Sequence, residues 1–420
     1  MERKLSKMKV LGNSNCIMHI ISNMLKMQNP KLMDHGSRVG YLVAKMLEVE
    51  EKSKKEILDS YILGLLHDVG AYKTEEIDKL VQFETEKVFD HSIYGYLIMK
   101  VSEVMEDKVD AILHHHTPWE QLKIMKTENS QLANLIFLAD RVEIYLRCHG
   151  KGISAEILQK TNCFSKENID LFCKTDEKCD IQKRLLDGSY INDTEKYLYQ
   201  ADFSDEELKK LIRMVAFLID FRSESTVTHT ITMVSAAVAL GNLMNLNKQE
   251  IDEIYTGAYI HDLGKVAIPL EILEKPGRLD FDEMEVMKTH IILTGNIIGG
   301  HVSDNVYNIA MRHHEKLNGK GYPYGIKEED MTLAEKIVAV ADIFSALTGK
   351  RSYKDSMPKE KVVGIMQQMA DDHQISAEVV KLLIDNYELV VRKVDENCSK
   401  IIHNYEEIKE KYKAINNIFS

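Results

Sequence analysis

At 420 residues the chain is long enough for two or three domains, each burying its own core. Its 44% hydrophobic and 29% charged content is that of a soluble globular protein. A net charge of −12 argues against a nucleic-acid polymer as partner, because a phosphate backbone selects a basic face, but a small anion can still be drawn to a bound metal.

No run of 18 apolar residues is present to span a membrane, and the opening MERKLSKMKVLGNSN has no apolar signal region behind it. The six cysteines are scattered without CxxC spacing, which reads as reduced thiols in a cytoplasmic protein. Six prolines, 21 glycines and long apolar-periodic runs predict an all-α chain.

In chain order, residues 1–30 read as a helical lead-in closing at Asn29-Pro30. The next helix carries His35 and Arg38, and SYILGLLHDVG then ends an apolar helix on His67 and Asp68. His91 heads VFDHSIYGYLIMKV, VDAILHHHTPWEQL carries His114, His115 and His116, and Asp140 lies inside the apolar QLANLIFLADRVEIYL. Residues 1–150 are therefore expected to form one domain. Residues 151–205 are charged and only patchily periodic, and predict a helical linker with a solvated surface.

From residue 206 the pattern restarts. His229 precedes His261 by 32 residues, the same interval that separates His35 from His67. In IYTGAYIHDLGK an apolar run leads straight into His261 and Asp262. His290 follows in MEVMKTHIILTG, His313 and His314 in MRHHEKLNGKGYPYG, and Asp342 in AEKIVAVADIFSALTG. Matching positions lie 194 to 202 residues apart, which predicts a tandem duplication of one helical domain, with the second over 206–400 and a helical tail over 401–420.

An imidazole and a carboxylate at the buried end of a helix are costly unless something compensates them, and a divalent metal does so. Mixed nitrogen and oxygen ligands suit iron, manganese or zinc better than magnesium or calcium. His229, His261, Asp262, His290, His313, His314 and Asp342 are too many ligands for one tetrahedral ion and enough for two, with Asp262 free to bridge. A metal pair that activates a water and braces the oxygens of an in-line displacement is the equipment of a phosphoester hydrolase. Lys265, one turn past His261, is placed to hold a phosphate oxygen or steady a leaving group. The glycine- and tyrosine-rich NGKGYPYG, directly after two ligand candidates, reads as a substrate lip.

The motifs HDLGK, IPLEILEKPGRL, MKTHIILTG, HHEKLNGKGYP and VAVADIF resemble, in order and spacing, an HD-GYP domain over roughly residues 206–395. Residues 15–150 resemble more weakly a plain or diverged HD domain, of the same metal-dependent phosphohydrolase superfamily. The resemblance implies an all-α bundle, paired iron or manganese on the seven residues named above, and Lys265 as substrate contact and catalytic group beside Asp262. It implies Gly321, Tyr322 and Pro323 as a substrate-binding segment. It further implies hydrolysis of cyclic di-GMP to pGpG, and in some members to GMP, by a dinuclear metal-activated hydroxide.

The sequence departs from that pattern at Ser225, where some members carry a glutamate for a third metal, and at Thr232, Asn318 and Ser345, where arginine, aspartate and a second acid are usual. Two readings therefore stand beside the phosphodiesterase: a regulatory or scaffold protein responding to a cyclic dinucleotide, and a phosphohydrolase of another nucleotide. The first copy keeps His35, His67, Asp68, His91, His115, His116 and Asp140 as a second candidate metal site, with His114 pointing elsewhere. It has Ala71 in place of the lysine and no GYP loop, so its role is open among hydrolase, regulatory module and metal-bearing dimerisation domain, and a homodimer is one arrangement open to the chain.

Overall fold

The protein is represented by a computed structural model that describes residues 10–11, 15–73, 90–220, 227–348 and 357–399. Among these the regular structure is helical throughout; no strand forms, and the extended pairing is confined to isolated bridges such as Leu11 with Val302. The all-α expectation holds. Ser225 and the expected tail over 401–420 lie outside the described residues.

The described residues divide into two compact units, one over Asn29–Asp202, the other over residues 203–399 together with the segment that ends at Gln28. The sequence boundaries differ from these in two places. Helix Cys16–Gln28 turns Ile17, Ile20, Ile21 and Met24 into a core. That core is the C-terminal unit's: the Asn23 amide donates to Ile297 O at 3.1 Å, and Ser303 N donates to Val10 O at 2.9 Å. An amphipathic stripe says that a helix is buried, not against which core. Helices Lys166–Cys179, Ile181–Asp187 and Ile191–Gln200, read as a linker, belong to the N-terminal unit. Phe172, Ile181, Leu185 and Tyr190 are buried there, and the Tyr190 hydroxyl donates to Asp34 at 2.7 Å.

In each unit the helix that delivers the His-Asp pair begins with a capping box. Ser53 and Glu56 start Lys54–Leu65, and Asn247 and Glu250 start Lys248–Ile260. Reciprocal side-chain bonds to the free amides fix where such a helix begins. The helix then ends just before His67 in one unit and His261 in the other, and a short 3₁₀ turn follows, Val69–Lys73 or Leu263–Ala267. Within these turns a Cβ at Gly70 would lie 1.9 Å from His91 O, and one at Gly264 1.9 Å from His290 O. Only glycine lets the turn press against the helix carrying the next histidine, Asp90–Val101 or Phe281–Ile298. In the C-terminal unit Thr294 ties the two together, its hydroxyl donating to His261 O at 3.1 Å and accepting from Gly264 N at 2.8 Å.

Candidate metal centres

The histidines and aspartates singled out in the sequence converge in both units. In the N-terminal unit Asp68, His91, His115 and His116 form one group and His35, His67 and Asp140 another. In the C-terminal unit the groups are His290, His313 and His314, and His229, His261 and Asp262. Within each group the ligand atoms lie within 4.8 Å of one another. Asp342 joins both C-terminal groups, one oxygen 3.3 Å from His229 Nε2 and the other 3.5 Å from His314 Nδ1. His114 is buried but lies outside both groups, as the sequence reading has it.

The aspartate of each His-Asp pair also faces both groups of its unit. Asp262 Oδ2 is 2.9 Å from His261 Nε2 and Oδ1 is 3.3 Å from His290 Nε2. Asp68 repeats this, Oδ2 at 3.5 Å from His67 Nε2 and Oδ1 at 3.2 Å from His91 Nε2. That placement puts each carboxylate within reach of both ligand groups of its unit.

The imidazoles are oriented by their own helices. His261, His290 and His313 donate Nδ1–H to the carbonyls of Ala258, Met287 and Ala310, at 2.7, 2.6 and 2.7 Å. His67 does the same to Gly64 at 2.7 Å and His115 to Ile112 at 2.5 Å. A carbonyl only accepts, so Nδ1 holds the proton and Nε2 keeps a bare lone pair. The Nε2 atoms of His67, His261, His290 and His313 and Oδ1 of Asp68 and Asp262 are buried without a hydrogen-bond partner. Leaving such a group unsatisfied costs roughly 1–3 kcal/mol. Converging buried lone pairs from nitrogen and carboxylate oxygen fit divalent metal ions.

The electrostatics hold several of these imidazoles ready as ligands, while at His261 burial lowers the imidazole but Asp262 outweighs it and raises it. Burial pushes His290 and His67 down to about 4, and His313 and His314 are also lowered, chiefly by burial, so these imidazoles are neutral near pH 7. Burial alone would raise the Asp262 carboxyl, but His261 and Lys265 outweigh it and hold it well below the usual carboxylate range. An unfolded histidine titrates near 6.5, so between pH 6.5 and about 4 the unfolded chain binds protons that folded His67 and His290 refuse. The metal-free fold is accordingly expected to lose stability as pH falls through that window. His35 has the opposite sign: burial lowers it, Asp140 and Glu143 outweigh burial and raise it to about 10, and its stabilisation fades as pH rises from 6.5 toward 10. Scanning calorimetry of metal-free protein should find the highest Tm near neutrality; a Tm that is flat toward acid would contradict the buried neutral imidazoles.

Two features belong to the C-terminal unit alone. Lys265 Nζ lies 2.5 Å from Asp262 Oδ2, at the mouth of the metal groups; the equivalent N-terminal position is Ala71, fully buried. Burial would lower the ammonium, but Asp262 outweighs it and keeps Lys265 charged. The second is the loop after His314. The Tyr322 ring lies 4.9 Å from that of His314, between it and Lys288, whose Nζ is 5.6 Å from the Tyr322 centroid. A Cβ at Gly321 would lie 2.3 Å from Lys316 N, so the loop folds back on the chain next to the ligands only with glycine there. Pro323 follows Tyr322 through a cis peptide bond.

Sequence reasoning passed over the residue that holds this loop. Glu315 is buried and accepts from Tyr324 N at 2.6 Å and Gly325 N at 3.1 Å. Its one sequence signal is adjacency to the His-His pair. Glu315→Gln turns a charge-assisted bond to two amides into a neutral one, worth about 1–2 kcal/mol. The expected result is a roughly tenfold higher KM with metal content unchanged; an unaltered KM would show that the loop does not touch substrate. Glu143 was likewise passed over: it accepts from His35 Nδ1 at 2.6 Å and from Arg38 Nε at 2.8 Å. In the second copy that position is Ser345, whose hydroxyl lies 2.9 Å from His229 Nδ1. Asn318 shapes the loop, accepting from Lys320 N at 3.1 Å.

Two helical units, each gathering histidines and aspartates from several helices into paired groups that could hold metal, define a protein of tandem domains of one type. The chain belongs to the HD-domain family: HD domain profiles match residues 32–145 and 213–379. It is 28% identical to 3'3'-cGAMP-specific phosphodiesterase 1 of Vibrio cholerae, over 84% of this chain and 87% of that one. Over 41% of this chain and 50% of the other it is 32% identical to a cyclic di-GMP phosphodiesterase of Thermotoga maritima. In fold it is similar to the crystal structure of a Vibrio cholerae cyclic GMP-AMP specific phosphodiesterase, with a TM-score of 0.52 and 17% identity, covering 90% of this chain and 97% of that one.

Proposed function

We propose that the chain is a metal-dependent cyclic-dinucleotide phosphodiesterase whose reaction centre lies in the C-terminal HD domain. The observation that carries this reading is that Lys265 and the Tyr322 loop stand beside paired metal groups in that domain, while Ala71 takes the lysine position in the other. Relatives of both specificities support the substrate class.

His229, His261, Asp262, His290, His313, His314 and Asp342 would hold two ions, with iron or manganese suited to the mixed nitrogen and oxygen set. Such ions, when bound, lower the pKa of water and stabilise charge on phosphoryl oxygens. The protein's own groups do the rest. Asp262 orders both ligand groups from one carboxylate, and the Nδ1–H bonds hold each ring in the tautomer that presents Nε2. The Lys265 ammonium neutralises charge growing on a non-bridging phosphate oxygen. Tyr322 offers an aromatic face to a base and a hydroxyl to a phosphate, and burial with the nearby Asp262 and Asp342 raises that hydroxyl's pKa, so it stays protonated and able to donate. Water adds at phosphorus, the P–O3′ bond breaks and the 3′ oxygen takes a proton, which converts cyclic di-GMP to pGpG; a second cycle yields GMP.

The test is turnover of cyclic di-GMP and of 3'3'-cGAMP, followed by chromatography, on anaerobically purified protein loaded with iron or manganese. Linear dinucleotide from either supports the reading, and their relative kcat/KM assigns the substrate. Tight binding without product from both would replace it with a regulatory role.

A further inference from the structure

We propose that the two HD domains retain metal with different strength, and that the C-terminal domain, where the proposed hydrolysis resides, empties first because of what stands behind His229. The two first histidines are presented alike: His35 Nε2 lies 3.3 Å from Asp140, and His229 Nε2 3.3 Å from Asp342. Their other ring nitrogens differ. His35 Nδ1 meets the Glu143 carboxylate at 2.6 Å. That carboxylate is fixed in turn by Arg38 Nε at 2.8 Å and Arg147 at 3.5 Å, and Arg38 is anchored by donating to Leu185 O at 3.1 Å.

His229 Nδ1 instead meets Ser345 Oγ at 2.9 Å. The serine's single proton is directed to Asp342 O at 2.7 Å, so its oxygen accepts from Nδ1–H. The tautomer is preserved, but the partner is neutral. Thr232 replaces the arginine that braces the first copy, and its hydroxyl lies against Cys398 Sγ at 3.6 Å. A carboxylate behind a ligating histidine raises its basicity and locks its angle, and loss of such a partner costs about 10–100-fold in metal affinity.

Exposure points the same way. The His229 side chain is 16% exposed against 6% for His35, and His314 28% against 4% for His116. His116 meets Phe137 from its own domain's ligand-bearing helix, ring centroids 5.6 Å apart, whereas His314 meets Tyr322 of the loop at 4.9 Å. A centre that must admit substrate also admits water and chelator; the first histidines and the second of each His-His pair are more covered in the N-terminal domain.

The experiment loads the full chain with manganese(II), dialyses it against graded chelator and measures bound metal by mass spectrometry. His67→Ala and His261→Ala assign the release steps. Two steps are expected in the wild type, the C-terminal domain emptying at about 10–100-fold lower chelator strength. Ser345→Glu should narrow the gap. Because Ser345 is buried and a longer side chain can fail to fit, Glu143→Gln is the second variant: it keeps the shape, removes the charge, and should move the N-terminal step about tenfold toward the other with an unchanged circular dichroism spectrum. Simultaneous release in the wild type, or an N-terminal step indifferent to Glu143→Gln, would overturn the proposal. Since release is read from metal alone, a clean two-step release in protein that turns over no cyclic dinucleotide would uphold it and sink only the functional reading on which its link to hydrolysis rests.

Discussion

Replacing Asp262 with asparagine is expected to lower cyclic-dinucleotide turnover on the order of 10³-fold or more and to strip metal from the C-terminal domain. The carboxylate stands between the two ligand groups, 2.9 Å from His261 and 3.3 Å from His290, with Lys265 on the same oxygen. An amide supplies one neutral oxygen and turns donor hydrogens toward lone pairs that need an electrophile. Several kcal/mol of charge stabilisation would depend on metals held by this residue in the proposed mechanism, and each 1.36 kcal/mol is tenfold in rate. Initial rates and metal content on the same preparation check it. Turnover within tenfold of wild type would remove Asp262 from the centre of the mechanism.

Lys265→Met is expected to reduce kcat about 10²–10³-fold while leaving metal content intact. The ammonium donates to Asp262 and is not itself a ligand, so its removal separates charge stabilisation from metal binding. The methionine keeps most of the side chain's bulk, and the half-buried position tolerates it without a large cavity. A rise in KM alone, with kcat preserved, would make Lys265 a binding group that acts equally on ground and transition states.

Much of this architecture was legible in the sequence because metal ligation places hard demands on spacing. The repeated 32-residue interval and the matching His-His and Asp positions revealed the duplication, and the structure brings those same residues together in both copies. What stayed hidden depends on contacts between segments far apart in the chain. The periodicity of Cys16–Gln28 marked a buried helix but not the core it joins, which is set by partners such as Ile297. The segment after residue 150 looked solvated because charged residues recur all along it and its apolar residues follow no clean period; those apolar residues, Phe172 and Leu185 among them, nonetheless bury one face. Glu143 and Glu315 bond to a distant histidine and to loop amides, relations that no local pattern encodes. The departure at Ser345 was visible, but its consequence was not until His229 was seen to lean on it.

The most direct test of the central claim compares turnover of cyclic di-GMP and 3'3'-cGAMP by metal-loaded wild type, His261→Ala and His67→Ala. The account predicts that His261→Ala loses the C-terminal metal and all measurable turnover, while His67→Ala loses N-terminal metal and still hydrolyses substrate. Turnover that survives His261→Ala and disappears in His67→Ala would contradict it and move the reaction to the N-terminal domain.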